Sequence, residues 1–209
     1  MKQNICIMGD SYSTYEGYIP TGYHTYYSDT RQEEPVVYGV EKTWWKLFAK
    51  ENELNIVLND SFSGSTVCNT VRETLTVESS FISRMDKYIA ENFFTENTID
   101  TMLIFGGTND CWTDAPIGEP VYADWTQDDL LCVLPAFGYL IHKAKEVVRD
   151  VIVIINSDLK EEITNGIIAI CETNRVKYVH LKELDRVNGH PTELGMKQIA
   201  EQVTACFRK

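Results

Sequence analysis

Ser11 and His190 are the residues of this chain best placed to do covalent chemistry. Ser11 stands in Met8-Gly9-Asp10-Ser11-Tyr12-Ser13, directly after the apolar run Ile5-Cys6-Ile7-Met8. A buried strand that ends in Gly-Asp-Ser turns sharply. The turn would hold the hydroxyl at the carboxyl edge of a sheet, where open α/β folds place their ligands. Taken alone, the tripeptide is ordinary turn chemistry. His190 is followed by Pro191 and Thr192, then by Leu194, Met196, Ile199, Ala200 and Val203 at helical spacing, which places it in a loop that opens a terminal helix. An imidazole on so constrained a loop can reach a serine from elsewhere in the fold and take its proton.

Two further apolar runs deliver polar groups to the same edge. Asn55 to Asp60 leads into Ser61-Phe62-Ser63-Gly64-Ser65-Thr66, and Thr101 to Gly106 leads into Gly107-Thr108-Asn109-Asp110. Acyl transfer needs preorganised donors aimed at the developing oxyanion, and glycine-flanked backbone amides with an asparagine side chain are suitable. The same strand ends admit a rival chemistry, because Asp10, Asp60 and Asp110 each follow an apolar run and could together hold Mg²⁺ for phosphoryl hydrolysis. That reading leaves Ser11, Gly64 and His190 unexplained.

Gly9-Asp10-Ser11, Gly64, Gly107-Thr108-Asn109-Asp110 and His190-Pro191, in this order, resemble the four sequence blocks of the SGNH hydrolase superfamily, also called GDSL lipases and esterases, over residues 5 to 203. The resemblance implies that Ser11 is the nucleophile and His190 the general base. It implies an oxyanion hole built from the amides of Ser11 and Gly64 and the side chain of Asn109. One position departs from the family pattern, which has an aspartate three residues before its histidine where this chain has Val187. Asp185 can substitute as the group that orients His190 if the segment 186–189 bulges, and Asn188-Gly189 permits such a turn. Otherwise a backbone carbonyl orients the imidazole and the machinery is a Ser-His dyad. A non-catalytic carbohydrate-binding module on the same scaffold is a third reading, against which the intact Ser, Gly, Asn and His set speaks.

The elements that must position these residues alternate. Apolar strand runs fall near 4–9, 55–59, 101–106, 151–156 and 176–181, with helical patterns near 42–52, 82–93, 136–149, 160–174 and 192–207. This is the pattern of a three-layer α/β/α fold with a five-stranded, parallel, doubly wound, flavodoxin-like sheet. Continuously apolar strands such as Val151-Ile152-Val153-Ile154-Ile155 fit burial on both faces. Thr43 is placed to cap a helix whose Trp44-Trp45 pair must turn one ring to the sheet. Two long segments, 12–40 and 111–127, leave the strand ends that carry Ser11 and Asn109 and are rich in Tyr, Trp and Pro. Long loops in compact domains are usually functional, so Tyr12, Trp112 and Trp125 are the expected substrate-lining rings; the alternative is that the loop aromatics form a satellite core.

Composition fits one domain spanning 1–209, and 44% hydrophobic residues are ample for a two-sided sheet core. The net charge of −12 argues against nucleic acid or an anionic membrane as partner. Cys6, Cys68, Cys111, Cys132, Cys171 and Cys206 form no close-spaced metal pairs and read as small hydrophobes. The first strand begins almost at once and no run approaches the ~20 apolar residues of a membrane span, so the expectation is a cytoplasmic enzyme. The sequence thus points to a serine esterase that cleaves short-chain acyl esters of a small polar alcohol, acetylated carbohydrate included, through an acyl-enzyme, with no metal or organic cofactor. A lipase- or thioesterase-type acylhydrolase is the alternative.

Overall fold

A computed structural model of the chain describes residues 2–209. Five parallel strands form the sheet: β1 (Asn4–Gly9), β2 (Asn55–Ser61), β3 (Thr101–Gly106), β4 (Asp150–Ile155) and β5 (Lys177–His180), in the order β2-β1-β3-β4-β5. This is the flavodoxin-like winding that the strand-helix alternation predicts. Alternate side chains along each strand enter opposite cores. Ile5, Ile7, Leu103, Phe105, Ile152 and Ile154 pack on one face, while Cys6, Met8, Met102, Ile104, Val151 and Val153 pack on the other. Both faces are therefore dry, which is why the strands read as unbroken apolar runs.

Helices α1 (Trp44–Glu51) and α7 (Glu193–Phe207) cover the first face. The second is covered by α2 (Phe81–Ala90), α5 (Val133–Val147) and α6 (Glu161–Asn174), and the short helices α3 (Phe93–Glu96) and α4 (Thr108–Trp112) complete the set. Trp44 and Trp45 are both buried, not one of the pair. Thr43 occupies the N-cap position of α1, but its hydroxyl donates to Val40 O and does not cap the helix. Cys6, Cys68 and Cys171 are buried and the other three half-buried, all as free thiols. No described helix is long and apolar enough to cross a membrane.

One element that the periodicity does not signal sits next to α7. Strands β6 (Arg186–Val187) and β7 (His190–Pro191) pair antiparallel, with Val187 opposite His190. Asn188 and Gly189, at φ of 51° and 77°, form the two-residue turn between them. Both central residues of such a turn need positive φ, which Asn-Gly supplies at least cost. His190 is thus held in a tight hairpin rather than on an open loop.

Candidate active site

The first three strands end at a common edge, and each hands over one part of the site. After β1 the chain closes into a 3₁₀ turn over Ser11–Ser13, capped by Asp10, whose Oδ1 accepts from Tyr12 N at 3.1 Å. Trp44 Nε1 donates to Ser13 Oγ and Asn59 Nδ2 donates to Ser13 O, so the turn is fixed from α1 and from β2. Ser11 exposes 2% of its surface and its hydroxyl lies 3.0 Å from His190 Nε2.

The other ring nitrogen, Nδ1, lies 3.2 Å from Asn188 O. A proton on Nδ1 donated to that carbonyl leaves the Nε2 lone pair facing Ser11, the tautomer a general base requires. Asp185 is not brought to His190. Its Oδ2 accepts from the Thr192 hydroxyl, which in turn accepts from Gly195 N to cap α7, and its main chain bonds Thr192 N and Gln198. The hairpin explains the difference. With Val187 paired to His190, residues 186–189 do not bulge, and the turn aims a peptide carbonyl at the imidazole instead of a carboxylate.

Aromatic rings enclose His190. Tyr26 stacks on it with ring centres 3.6 Å apart and planes 6° from parallel, and Trp112 meets it edge-on at 5.6 Å. Burial therefore pushes the imidazole pKa down to about 4, assisted by the positive charges of Arg31 and Arg72, while the bond to Asn188 works in the other direction. Two tyrosines pin the hairpin that carries it: Tyr12 OH donates to Gly189 O and Tyr27 OH donates to Pro191 O at 2.7 Å. Thr14 links the two halves, since its hydroxyl donates to Ser11 O and accepts from Tyr26 N.

The side of the site that carries Gly64 and Asn109 is built on buried charge. Gly64 has φ of +89°, a conformation that L side chains rarely adopt, and its N–H, like that of Ser11, has no acceptor among the described residues. Asn109 Nδ2 donates one hydrogen to Ser65 O at 3.0 Å, which leaves the other for a ligand. Asp110 accepts from Val67 N with both oxygens and from Cys68 N, clamping the loop after β2 to the start of α4. Arg84 ties the same loop from below: it pairs with Asp60 at 2.5 Å and donates to Gly9 O and Ser65 Oγ. Asp60 and Asp110 are thus saturated by protein donors, and no group of three or more metal-ligating side chains exists among the described residues. The carboxylate reading of these strand ends has no geometric support. Asp10 Oδ2 is buried without a partner, and burial pushes its carboxyl up to about 7, the charge of Asp110 adding to the shift and the Tyr12 amide opposing it.

Of the expected substrate-lining rings, only Trp112 faces the site from the surface, at 46% exposure. Tyr12 is buried beneath the His190 hairpin, as a positioning group. Trp125 packs on Tyr139 and His142 of α5 and donates to Val121 O, away from Ser11. Tyr15 and Tyr27 are likewise core residues, so much of the aromatic loop 12–40 is a satellite core. The carbonyl of Asn188 fills the place of the backbone carbonyl expected as the alternative to Asp185, while Tyr26, Tyr27 and Arg84 are neighbours of the site that the sequence reading did not single out. For Tyr26 and Tyr27 the signal was their place in the aromatic segment 12–40; for Arg84 there was none.

A hydroxyl, an imidazole and convergent amide donors on the carboxyl edge of a doubly wound sheet have the form of a hydrolase that acts on esters. The GDSL-like lipase/acylhydrolase family model matches residues 3–207, and the chain belongs to that family. A crystal structure of a Bacteroides ovatus protein described as a GDSL-like lipase superposes with a TM-score of 0.91 at 37% identity, covering 100% of this chain and 99% of that one. A second such protein, from Bacteroides uniformis, gives 0.88 at 37% identity over 97% and 93%. A carbohydrate acetylesterase from Sinorhizobium meliloti shares the fold, with a TM-score of 0.64 at 14% identity over 99% of each chain. No curated protein matches the chain.

Proposed function

We propose that the protein is a serine esterase that removes short acyl groups from a polar alcohol through a covalent acyl-enzyme. The observation that carries this reading is the Ser11 Oγ to His190 Nε2 distance of 3.0 Å, with Nδ1 engaged by a backbone carbonyl. Ser11 Oγ attacks the ester carbonyl as its proton passes to Nε2. The carbonyl oxygen, now negative, takes hydrogen bonds from the amides of Ser11 and Gly64 and from Asn109 Nδ2. Collapse of the tetrahedral intermediate breaks the bond to the alcohol oxygen, which leaves with the proton from Nε2. Water then repeats the sequence on the acyl-enzyme and restores Ser11. The imidazolium formed in each half is held by the neutral Asn188 carbonyl in place of a carboxylate, so the machinery is a dyad.

Two observations bear on the substrate. Ser11 is only 2% exposed, which suits a compact acyl group such as acetyl, and Trp112 offers an exposed ring beside His190, the residue that returns the proton to the alcohol. Aromatic faces of this kind stack on sugar rings and tolerate differences among them. The structurally similar acetylesterase acts on carbohydrate, in keeping with this assignment. A groove of about 590 Å³ lined by Tyr23, Phe62, Leu75 and Thr76 adjoins the Gly64 loop and favours a second reading, in which a longer acyl chain lies there. Kinetics on p-nitrophenyl esters from acetyl to palmitoyl, with acetylated sugars alongside, decide between them. Maximal kcat/KM at acetyl to butyryl supports the esterase; a steady rise toward palmitoyl overturns it in favour of a lipase.

A further inference from the structure

Arg72 is a cation beside the Gly64 loop and Trp112 with no hydrogen-bond or ion-pair partner among the described residues. Its Cδ lies 3.9 Å from where a Cβ on Gly64 would stand, and its guanidinium carbon lies 5.9 Å from the centre of the Trp112 ring, so it spans the gap between the oxyanion loop and the ring beside His190. The side chain makes no hydrogen bond and no ion pair among the described residues, and its Nε is shut off from solvent with no acceptor. The other arginines that are buried or half-buried each have an ion pair or hydrogen bonds on the guanidinium, although Arg186 Nε also lacks an acceptor. Arg84 pairs with Asp60, Arg186 pairs with Asp158 and donates to Asn156 and Ser157, and Arg31 donates to Pro35 O and Tyr26 O with Glu33 nearby. An unpaired, partly desolvated guanidinium is costly, and leaving it beside the nucleophile in a chain of net charge −12 calls for an acceptor that arrives from outside.

We infer that Arg72 binds a carboxylate carried by the alcohol half of the substrate, so that the ester cleaved is an acylated hydroxy acid or acidic sugar. This rests on the esterase reading of Ser11 and His190. The alcohol side is assigned by chemistry: His190 must protonate the leaving oxygen, so the alcohol lies on the side of His190 and Trp112, and the Arg72 guanidinium lies 5.9 Å from the Trp112 ring centre with its charge felt at His190. The planar fork of a guanidinium matches a carboxylate with two parallel N–H···O bonds, while Trp112 stacks on the ring that bears it. Local positive charge also offsets the repulsion an anionic ester meets from an acidic protein.

The test compares 3-acetoxybenzoate with 3-acetoxybenzamide, two acetates of similar shape that differ in charge. Wild type is expected to favour the carboxylate in kcat/KM by about tenfold or more, the worth of one charge-assisted contact. Arg72→Met should bring the ratio toward one and Arg72→Glu should invert it. A second arm needs no variant: 3-hydroxybenzoate, the product, should inhibit wild type at least about tenfold more strongly than 3-hydroxybenzamide by the same measure. A wild-type ratio near one with equal inhibition, or a preference that survives Arg72→Met, overturns the carboxylate site. Ser11→Ala separates the two levels of the argument. Hydrolysis that vanishes in Ser11→Ala while the ratio stays flat leaves the esterase standing without the anion site, and hydrolysis that persists in Ser11→Ala removes both.

Discussion

Enclosure of His190 makes its protonation state a direct readout of the site. Burial lowers its pKa to about 4, and Tyr26, stacked at 3.6 Å, covers one whole face of the ring. A general base acts in its neutral form, so kcat/KM should rise through the pKa of the free enzyme and then level off. With a pKa near 4 about 97% of His190 is neutral at pH 5.5, whereas an ordinary histidine of pKa about 6.5 would be only about 9% neutral there. Tyr26→Ala admits water to the exposed face while Tyr12 and Trp112 keep their places, so its acid limb should move upward, to between 4 and 6.5. Activity at pH 5.5 relative to pH 8 should consequently fall, by about twofold if the limb moves to about 5.5 and by up to about tenfold if it reaches about 6.5. The assay is hydrolysis of a neutral aryl acetate from pH 3.5 to 9, with circular dichroism at each acid point to separate titration from unfolding. An acid limb near 6.5 in wild type, or one that Tyr26→Ala does not move, refutes the desolvation argument.

Asp185→Asn should change kcat by less than about threefold and cost about 1 kcal/mol of stability through the weakened cap of α7, and a loss of ~10²-fold in kcat would restore the carboxylate triad. Tyr12→Phe removes the bond that holds Gly189 O and lets the hairpin shift, so kcat should fall by roughly tenfold with KM little changed, and an unchanged kcat would show that the hairpin is rigid without it. Asp10→Asn tests the buried carboxyl near pH 7. Its raised folded pKa means that wild type binds an extra proton when folded and loses stability as pH rises from about 4 to 7, so the variant should gain on wild type across that window, which urea melts at pH 5 and pH 8 would show. Activity should survive EDTA, because Asp60 and Asp110 are committed to Arg84 and to backbone amides; loss on chelation and recovery with Mg²⁺ would count against that commitment.

The parts of this site that the sequence discloses are those set by local chemistry. Apolar runs ending in Gly-Asp-Ser, in a Ser-Gly turn and in Gly-Thr-Asn-Asp identify three strand ends, and parallel winding brings them to one edge without further information. What the sequence conceals depends on contacts across the fold. The bonds from Tyr12 to Gly189 and from Tyr27 to Pro191 span 177 and 164 residues, so nothing near Tyr12 in the chain separates a positioning tyrosine from a substrate wall. Arg84 reads as one polar position in an amphipathic helix, yet it is fully buried beneath β1 and β2. The failure at Asp185 has a different origin. Spacing from His190 was the only guide, and a two-residue Asn-Gly turn converts that spacing into a strand pair that carries the carboxylate away from the ring.

The claim on which everything else depends is that Ser11 is the nucleophile. Treatment with a fluorophosphonate followed by peptide mass spectrometry measures this directly. The adduct should fall on Ser11 at one equivalent per chain, should be abolished in His190→Ala, and should inactivate the enzyme in proportion to labelling. Labelling at any other serine, or full esterase activity in Ser11→Ala, would contradict the account.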